Sequence, residues 1–306
     1  MGKWKGLMLA IGLVVVLCWS CFEIYSVRNA SKSADTASAA DEEAGTETRT
    51  ETKTEKTKKT KKTTKNSIST ELPELKIGSA IFAPYFYIGE DGKEAGVDVD
   101  IAKEACRRMG YDPIFKRLVW GDHDKLLDSG AVDCVWCSFS MNGRKERYTW
   151  AGPYMYSKVS VVVAVDSDIY SLEDLKGRSV ATEIDSRAES FFLKKNSVDV
   201  ETVSTYSGLE DAFTAFGKGY VDAVADHEEA LKNYTQKNEK LYRYLEPPIF
   251  TSRLGVAFKR GKNIKLAEKL TNTLNEMNAD GTIASIVKKY GLSENSLLEV
   301  PVDGEE

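Results

Sequence analysis

Apolar and polar positions divide the chain into three stretches of different pattern. The first is an unbroken apolar run, Gly6–Leu17 (GLMLAIGLVVVL), which follows Lys3 and Lys5 and leads into Cys18-Trp19-Ser20-Cys21. A basic flank before a short apolar run predicts an export signal or membrane anchor over residues 1–27, with a cytoplasmic N-terminus and everything after it outside the cell. Left uncleaved, Gly6–Val27, interrupted only by Glu23, makes a short anchor. In the second stretch, 28–70, the core-forming positions disappear. TETRTETKTEKTKKTKKTT (46–64) has Thr at nine of nineteen positions and no aromatic or large aliphatic residue, which predicts a disordered linker. In the third stretch, from residue 72 on, apolar positions recur with periods of two and of about 3.6.

That third pattern predicts strands over 75–80, 114–119, 132–137, 159–165, 179–182, 201–204, 223–225 and 254–259. It predicts helices over 98–109, 123–129, 172–176, 187–195, 209–218, 264–279 and 282–290. Short β-rich runs alternating with amphipathic helices imply an α/β fold, helices packed on mixed or parallel sheets. Ser186-x-x-Glu189 reads as a capping box opening the helix at 187, a helix start suited to an anion.

Charge sharpens this division. Of 306 residues, 42 are Lys or Arg and 47 Asp or Glu, for a net charge of -5, but residues 1–70 hold 12 basic and 8 acidic side chains and the remainder 30 against 39. The folded part is therefore acidic, which excludes nucleic acid as a main partner. The basic excess in Arg49–Lys65, eight against two, fits a solvated tether or one lying against anionic lipid or wall polymer. Such a tether spans about 35 Å, taking 5–6 Å × √n for a flexible chain. With two His and no second Cys pair at zinc spacing, no metal and no cofactor are expected. Cys134 and Cys137 form a CxxC, but residues three apart on a strand point to opposite faces, so buried free thiols are expected there and at Cys106.

Three local patterns carry candidate chemistry. FAPYFY (82–87) sets four aromatics around a Pro directly after the first strand, and strand C-terminal ends are where α/β sheets bind ligands. DCVWCSFSMNGRKERYTWAGPY (133–154) runs a strand into a loop with Ser138, Ser140 and Arg144. GYVDAVAD (219–226) ends a short strand on Asp226. A guanidinium fork, a carboxylate and aromatic rings at strand ends are what a small zwitterion requires.

Taken in order, GVDVDIAKEACRRMG (96–110), GAVDCVWCSFSMNGRKERYTWAGPY (130–154) and SLEDLKGRSVATEIDS (171–186) resemble motifs of the amino-acid-binding extracellular solute-binding proteins of ABC importers, over residues 72–297. The resemblance implies a two-lobed type II periplasmic-binding-protein fold with a ligand cleft between the lobes, lobe 1 from 72–157 plus 249–300 and lobe 2 from 158–248. It further implies that Arg144 clamps the ligand α-carboxylate with Ser140 beside it, in place of the more usual Thr. Asp226 accepts the α-ammonium, helped by the carbonyl near Ser138, and Phe82 and Trp120 flank the side chain. Ser186 and Arg187 fall where the family offers donors at a helix start, Asp185 replaces a usual Gly, and Glu183 faces the ligand side chain, where an acid selects a cation. The loop from Ser140 to Arg144 is one residue shorter than in glutamine-binding members. Ser20-Cys21 resembles a lipoprotein cleavage junction, with Cys18 departing from its pattern, which makes Cys21 the candidate lipidation site at the outer face of the cytoplasmic membrane. The implied partners are an amino acid and an ABC permease, with the protein acting as a monomer.

Each residue has a plainer reading. Arg144 fits a solvated run with Lys145 and Arg147, Asp226 the cap of a following DHEEAL helix, Phe82 and Trp120 core packing, and Glu183 a surface acid. Two other functions compete with solute capture: a cyclohexadienyl-dehydratase-like enzyme with Glu183 as general acid, and a sensor acting with a receptor in trans. Against the enzyme, the sequence has no Ser-His-Asp order and no phosphate-cradling Gly loop.

Overall fold

The computed structural model describes residues 71–195 and 197–297. The predicted anchor, the linker and Cys21 lie outside these residues. Within them the chain runs β1 (Glu74–Ser79), β2 (Tyr87–Ile88), β3 (Glu94–Ala95), α1 (Val97–Met109), β4 (Asp112–Arg117), α2 (His123–Ser129), β5 (Cys134–Ser140) and β6 (Tyr148–Ala164). It continues β7 (Ser179–Glu183), α3 (Arg187–Leu193), β8 (Thr202–Tyr206), α4 (Leu209–Gly217), β9 (Ala223–His227), α5 (Glu228–Thr235), β10 (Tyr242–Tyr244), β11 (Phe250–Lys259), α6 (Ile264–Ala279) and α7 (Thr282–Lys289).

The main sheet has the order β4-β1-β5-β11-β6-β9-β7-β8, with β10 also on β6. Its outer blocks are parallel, β4-β1-β5 on one side and β9-β7-β8 on the other. The centre is antiparallel, and β6 is long enough to serve both blocks: Tyr148–Val159 pairs with β11 and Val159–Val163 with β9. Alternation along β6 feeds two cores. Val159, Val161 and Val163 join Leu175, Val180 and Phe192 beneath the second block, whereas Val162 faces the larger core.

Six of the seven predicted helices form, and the one expected at 172–176 is a three-residue 3-10 turn, Glu173–Leu175. α1 buries Val97, Ile101, Ala105 and Met109 along one stripe and stops at Gly110, whose left-handed backbone (φ 77°) closes the last turn. Five other elements depart from the expectation: β2, β3, α5 and β10 are absent from the sequence-predicted set, and β6 begins eleven residues before the predicted 159. Pro153 inside β6 is the reason the sequence reads as a strand stop there. It is accommodated at an irregularity, where Met155 pairs with Leu254 and Ala151 with Val256, so the chain bulges across from Gly255.

Candidate functional site

Four strand C-terminal ends open into one cleft: β1 and β5 from one block, β7 and β9 from the other. The first wall is the turn 82–86. Its amides and carbonyls close on themselves (Phe82 N to Phe86 O 2.8 Å, Tyr85 N to Phe82 O 2.9 Å), and the first amides of α1 donate to it, Val97 to Pro84 O and Asp98 to Tyr85 O, both at 3.1 Å. This packing requires Gly96 (φ 129°), since a Cβ there would stand 2.1 Å from the Tyr85 carbonyl oxygen.

Asp98 turns its side chain under the cleft. One oxygen accepts the Ser138 amide at 2.5 Å and the other the Tyr154 hydroxyl at 2.7 Å. Burial nonetheless pushes this carboxyl up to about 7, against those two bonds. The clamp holds Ser138 in a left-handed conformation (φ 43°), rare for a residue with a Cβ. The following loop is fixed by Asn142, whose amide nitrogen donates to Thr251 O (3.1 Å) and whose oxygen accepts Arg253 N (2.9 Å). Ser140 and Ser252 share a hydrogen bond of 2.8 Å.

Arg144 closes that loop. It is 4 % exposed while Lys145 and Arg147 are exposed, so it does not belong to the solvated run. Its guanidinium lies over the Phe139 ring (5.2 Å) and reaches to the other block, donating to Asp185 O at 2.5 Å and approaching Asp185 Oδ1 at 3.4 Å. Burial lowers its affinity for the proton, with Asp185 opposing. Trp120 stacks on His123 (4.6 Å), which is fixed in turn by Trp120 O and the Tyr148 hydroxyl.

From the second block, Ser186 Oγ accepts the Glu189 amide at 3.0 Å and caps α3 as predicted. The reciprocal half is shifted by one residue, because Glu189 Oε2 takes the amide of Asp185 and not that of Ser186. Arg187 lays its guanidinium on Gly143, about 3.0 Å from where a Cβ would be, and so touches the opposite loop. Glu183 is 7 % exposed, which overturns the surface-acid reading, and burial followed by the charge of Asp226 raises its carboxyl well above the usual range. Asp226, 2 % exposed, accepts the His227 amide on Oδ1 at 2.7 Å and has no partner on Oδ2. It therefore contacts the residue before α5 but does not reach the helix's own amides. Burial pushes it up to about 7, opposed by the His227 bond.

All nine candidate ligand residues, Phe82, Trp120, Ser138, Ser140, Arg144, Glu183, Ser186, Arg187 and Asp226, line this single cleft, a narrow cavity of about 30 Å³. Phe82 and Trp120 also belong to the core, so packing and lining are not exclusive there. Ala80, Cys137 and His227 line it as well and were not among the candidates. His227 sits edge-on to Phe82 (6.0 Å) and Tyr85 (6.3 Å). Its Nδ1 is buried without a partner, and burial holds its proton affinity down at about 4, so the ring is neutral at pH 7. The three described cysteines are buried free thiols, as expected, and they diverge: Cys137 Sγ donates to Ala80 O beside the cleft, whereas Cys134 belongs to the core near Cys106. Among the described residues no His/Cys/Asp/Glu group is arranged to hold a metal ion, and no helix is long and apolar enough to cross a membrane.

Comparison with known proteins places this geometry. Residues 75–293 match the model of the bacterial extracellular solute-binding proteins, family 3. The chain is 26% identical over 219 residues to the probable amino-acid-binding protein YxeM of Bacillus subtilis (strain 168), covering 71% of this chain and 83% of that one. It is 27% identical over 217 residues to the ABC transporter arginine-binding protein 1 of Escherichia coli (strain K12), covering 69% and 88%. Among solved structures, Tv2483 bound to L-arginine superposes with a TM-score of 0.68 at 27% identity, over 74% of this chain and 94% of the other. Its fold is of the type II periplasmic-binding kind that the motifs implied.

Proposed function

The chain belongs to the bacterial extracellular solute-binding proteins of family 3, and on that premise we propose that it captures a free α-amino acid between two lobes and hands it to an ABC permease. Residues 72–157 and 249–300 form the first lobe of this reading and 158–248 the second, and they close over the ligand by a hinge at the two chain crossings. Arg144 takes the α-carboxylate with Ser140 beside it. Asp226 Oδ2 takes the α-ammonium together with the Ser138 carbonyl, and Phe82 and Trp120 flank the side chain. Ser186 and Arg187 supply donors from the α3 end. The protein works as a monomer, held at the outer membrane face through residues 1–27 or a lipid on Cys21, and the cleft carries out no reaction. Relatives named for binding amino acids, and not for catalysis, support this.

The observation that carries it is a buried Arg fork and an unpaired buried carboxylate oxygen in the same aromatic-walled cleft. Charge-assisted bonds of about 1.5–3 kcal/mol each suffice for a large share of a micromolar affinity, about -8.2 kcal/mol. In a thermal-shift screen of the full chain against the twenty amino acids, a ligand at a hundred times its dissociation constant adds about 2.7 kcal/mol of stability. Arg144→Ala and Asp226→Ala are each expected to weaken that ligand at least tenfold by calorimetry, with the circular dichroism spectrum unchanged. No hit in the screen, or unaltered affinity in both variants, refutes the assignment.

A further inference from the structure

Once a simple amino acid is seated, one carboxylate of the cleft is left without a task. Glu183 ends β7 and Asp226 lies near the end of β9, parallel neighbours in the sheet. Their register, Val180 opposite Ala223 and Ala181 opposite Val224, carried two residues further sets Glu183 level with Asp226. Level residues on adjacent strands share a face, about 4.7–4.9 Å apart in the hydrogen-bonding direction. Two acids therefore stand side by side in a buried cleft.

The sheet brings like charges together here. Asp226 Oδ2 has no partner. What acts on the Glu183 carboxyl is burial and then the charge of Asp226, of the same sign. Arg144, the most buried cation of the cleft, is directed to Asp185.

A zwitterion adds one negative and one positive group. Arg144 answers the first and Asp226 the second, and Glu183 is left over. A buried carboxylate without a counter-charge is strongly unfavourable, so it keeps a proton or receives a second positive group from the ligand. The walls favour the second outcome: Phe82 and Trp120 line the cleft with aromatic rings, a residue type that attracts cations, and His227 is a neutral ring that adds no competing charge. We propose that Glu183 is the specificity-determining residue of this cleft, and that the ligand is an α-amino acid whose side chain ends in a positively charged amine or guanidine. This inference rests on the amino-acid reading and narrows it.

Arginine and citrulline test it, since they share size and shape and differ in the side-chain charge. By calorimetry on the full chain at pH 8, arginine or lysine is expected to bind at least tenfold tighter than citrulline or glutamine. In Glu183→Gln the gap between arginine and citrulline is expected to shrink to under about threefold, through loss of arginine affinity while citrulline holds. The thermal melt of the variant without ligand checks that it folds. Equal wild-type affinity for arginine and citrulline, or a gap that survives in Glu183→Gln, overturns the role of Glu183 while leaving amino-acid capture standing. Failure of every α-amino acid to bind removes the amino-acid reading itself, and this inference with it.

Discussion

Asp226 and His227 are neighbours on a strand, where successive side chains point to opposite faces, and yet both line the cleft. They do so at the point where β9 ends, His227 being its last residue and the one that precedes α5. No sequence pattern marks that point, and so His227 was not legible as a cleft residue, whereas Asp226 was, as the acid at a strand end. Cys137 was read correctly as diverging from Cys134 but not as part of the cleft wall, since periodicity gives a face and not what that face looks onto. The two neighbours also differ in their titration. A carboxyl raised to about 7 is protonated, and neutral, below that pH, so the anion we propose for the ligand ammonium is lost as pH falls. His227, lowered to about 4, stays neutral across the same window and contributes nothing. Affinity is therefore expected to weaken from pH 8 to pH 6, approaching about tenfold per unit below the midpoint, as linkage of one proton requires. Calorimetry across that range checks it, and Asp226→Asn is expected to bind weakly and to keep only the pH dependence that Glu183 supplies.

Among the elements, all eight predicted strands sit within two residues of their observed ends at one or both termini, because their apolar periods coincide with what they bury. The misses have local causes. β6 carries Gly152 and Pro153, turn residues by any sequence rule, and the sheet absorbs them in a bulge that only the pairing with β11 reveals. The α1 start offers a sharper case. Its first amides hold the aromatic turn 82–86, and the contact distance there is set by Gly96. Gly96→Ala combines a backbone conformation that alanine rarely adopts with an overlap onto the Tyr85 carbonyl, and is expected to cost at least about 3 kcal/mol. Gly110→Ala, at the other end of the same helix, has the left-handed strain alone with nothing within 4 Å, and is expected to cost about 1–2 kcal/mol. Urea unfolding of both variants separates them. Gly96→Ala should also weaken ligand binding, since it displaces the wall that carries Phe82; equal costs in the two variants would show that the close packing at Tyr85 contributes little.

For the whole molecule, the return of β11 to the first block after the chain has built the second leaves no trace in periodicity, which is local. The discontinuous arrangement became readable only through the order of three motifs, and their resemblance supplied it. What the sequence could not reveal at all is that the two blocks already touch across the cleft. Arg144 from the β5 loop meets the carbonyl and carboxylate of Asp185 from the β7 loop, and Asp185 Oδ2 lies 3.6 Å from His123 Nε2. Asp185 holds a left-handed backbone (φ 52°), so glycine relieves that strain while removing the carboxylate. With its side chain 36% exposed, the carboxylate contact is worth at most about 1 kcal/mol, roughly a fivefold change in the ratio of open to closed chains. Asp185→Gly keeps the carbonyl contact, so the effect is expected to be partial: without ligand, distances between probes on exposed Lys125 and Lys218, one on each block, shift toward longer values. With ligand bound the two proteins are expected to give the same distances, because under the proposed binding mode the ligand carboxylate occupies Arg144 in both. Identical distributions without ligand would mean that the Asp185 side chain does not hold the cleft shut, and that closure rests on Arg144 reaching the backbone and on Arg187 lying against Gly143.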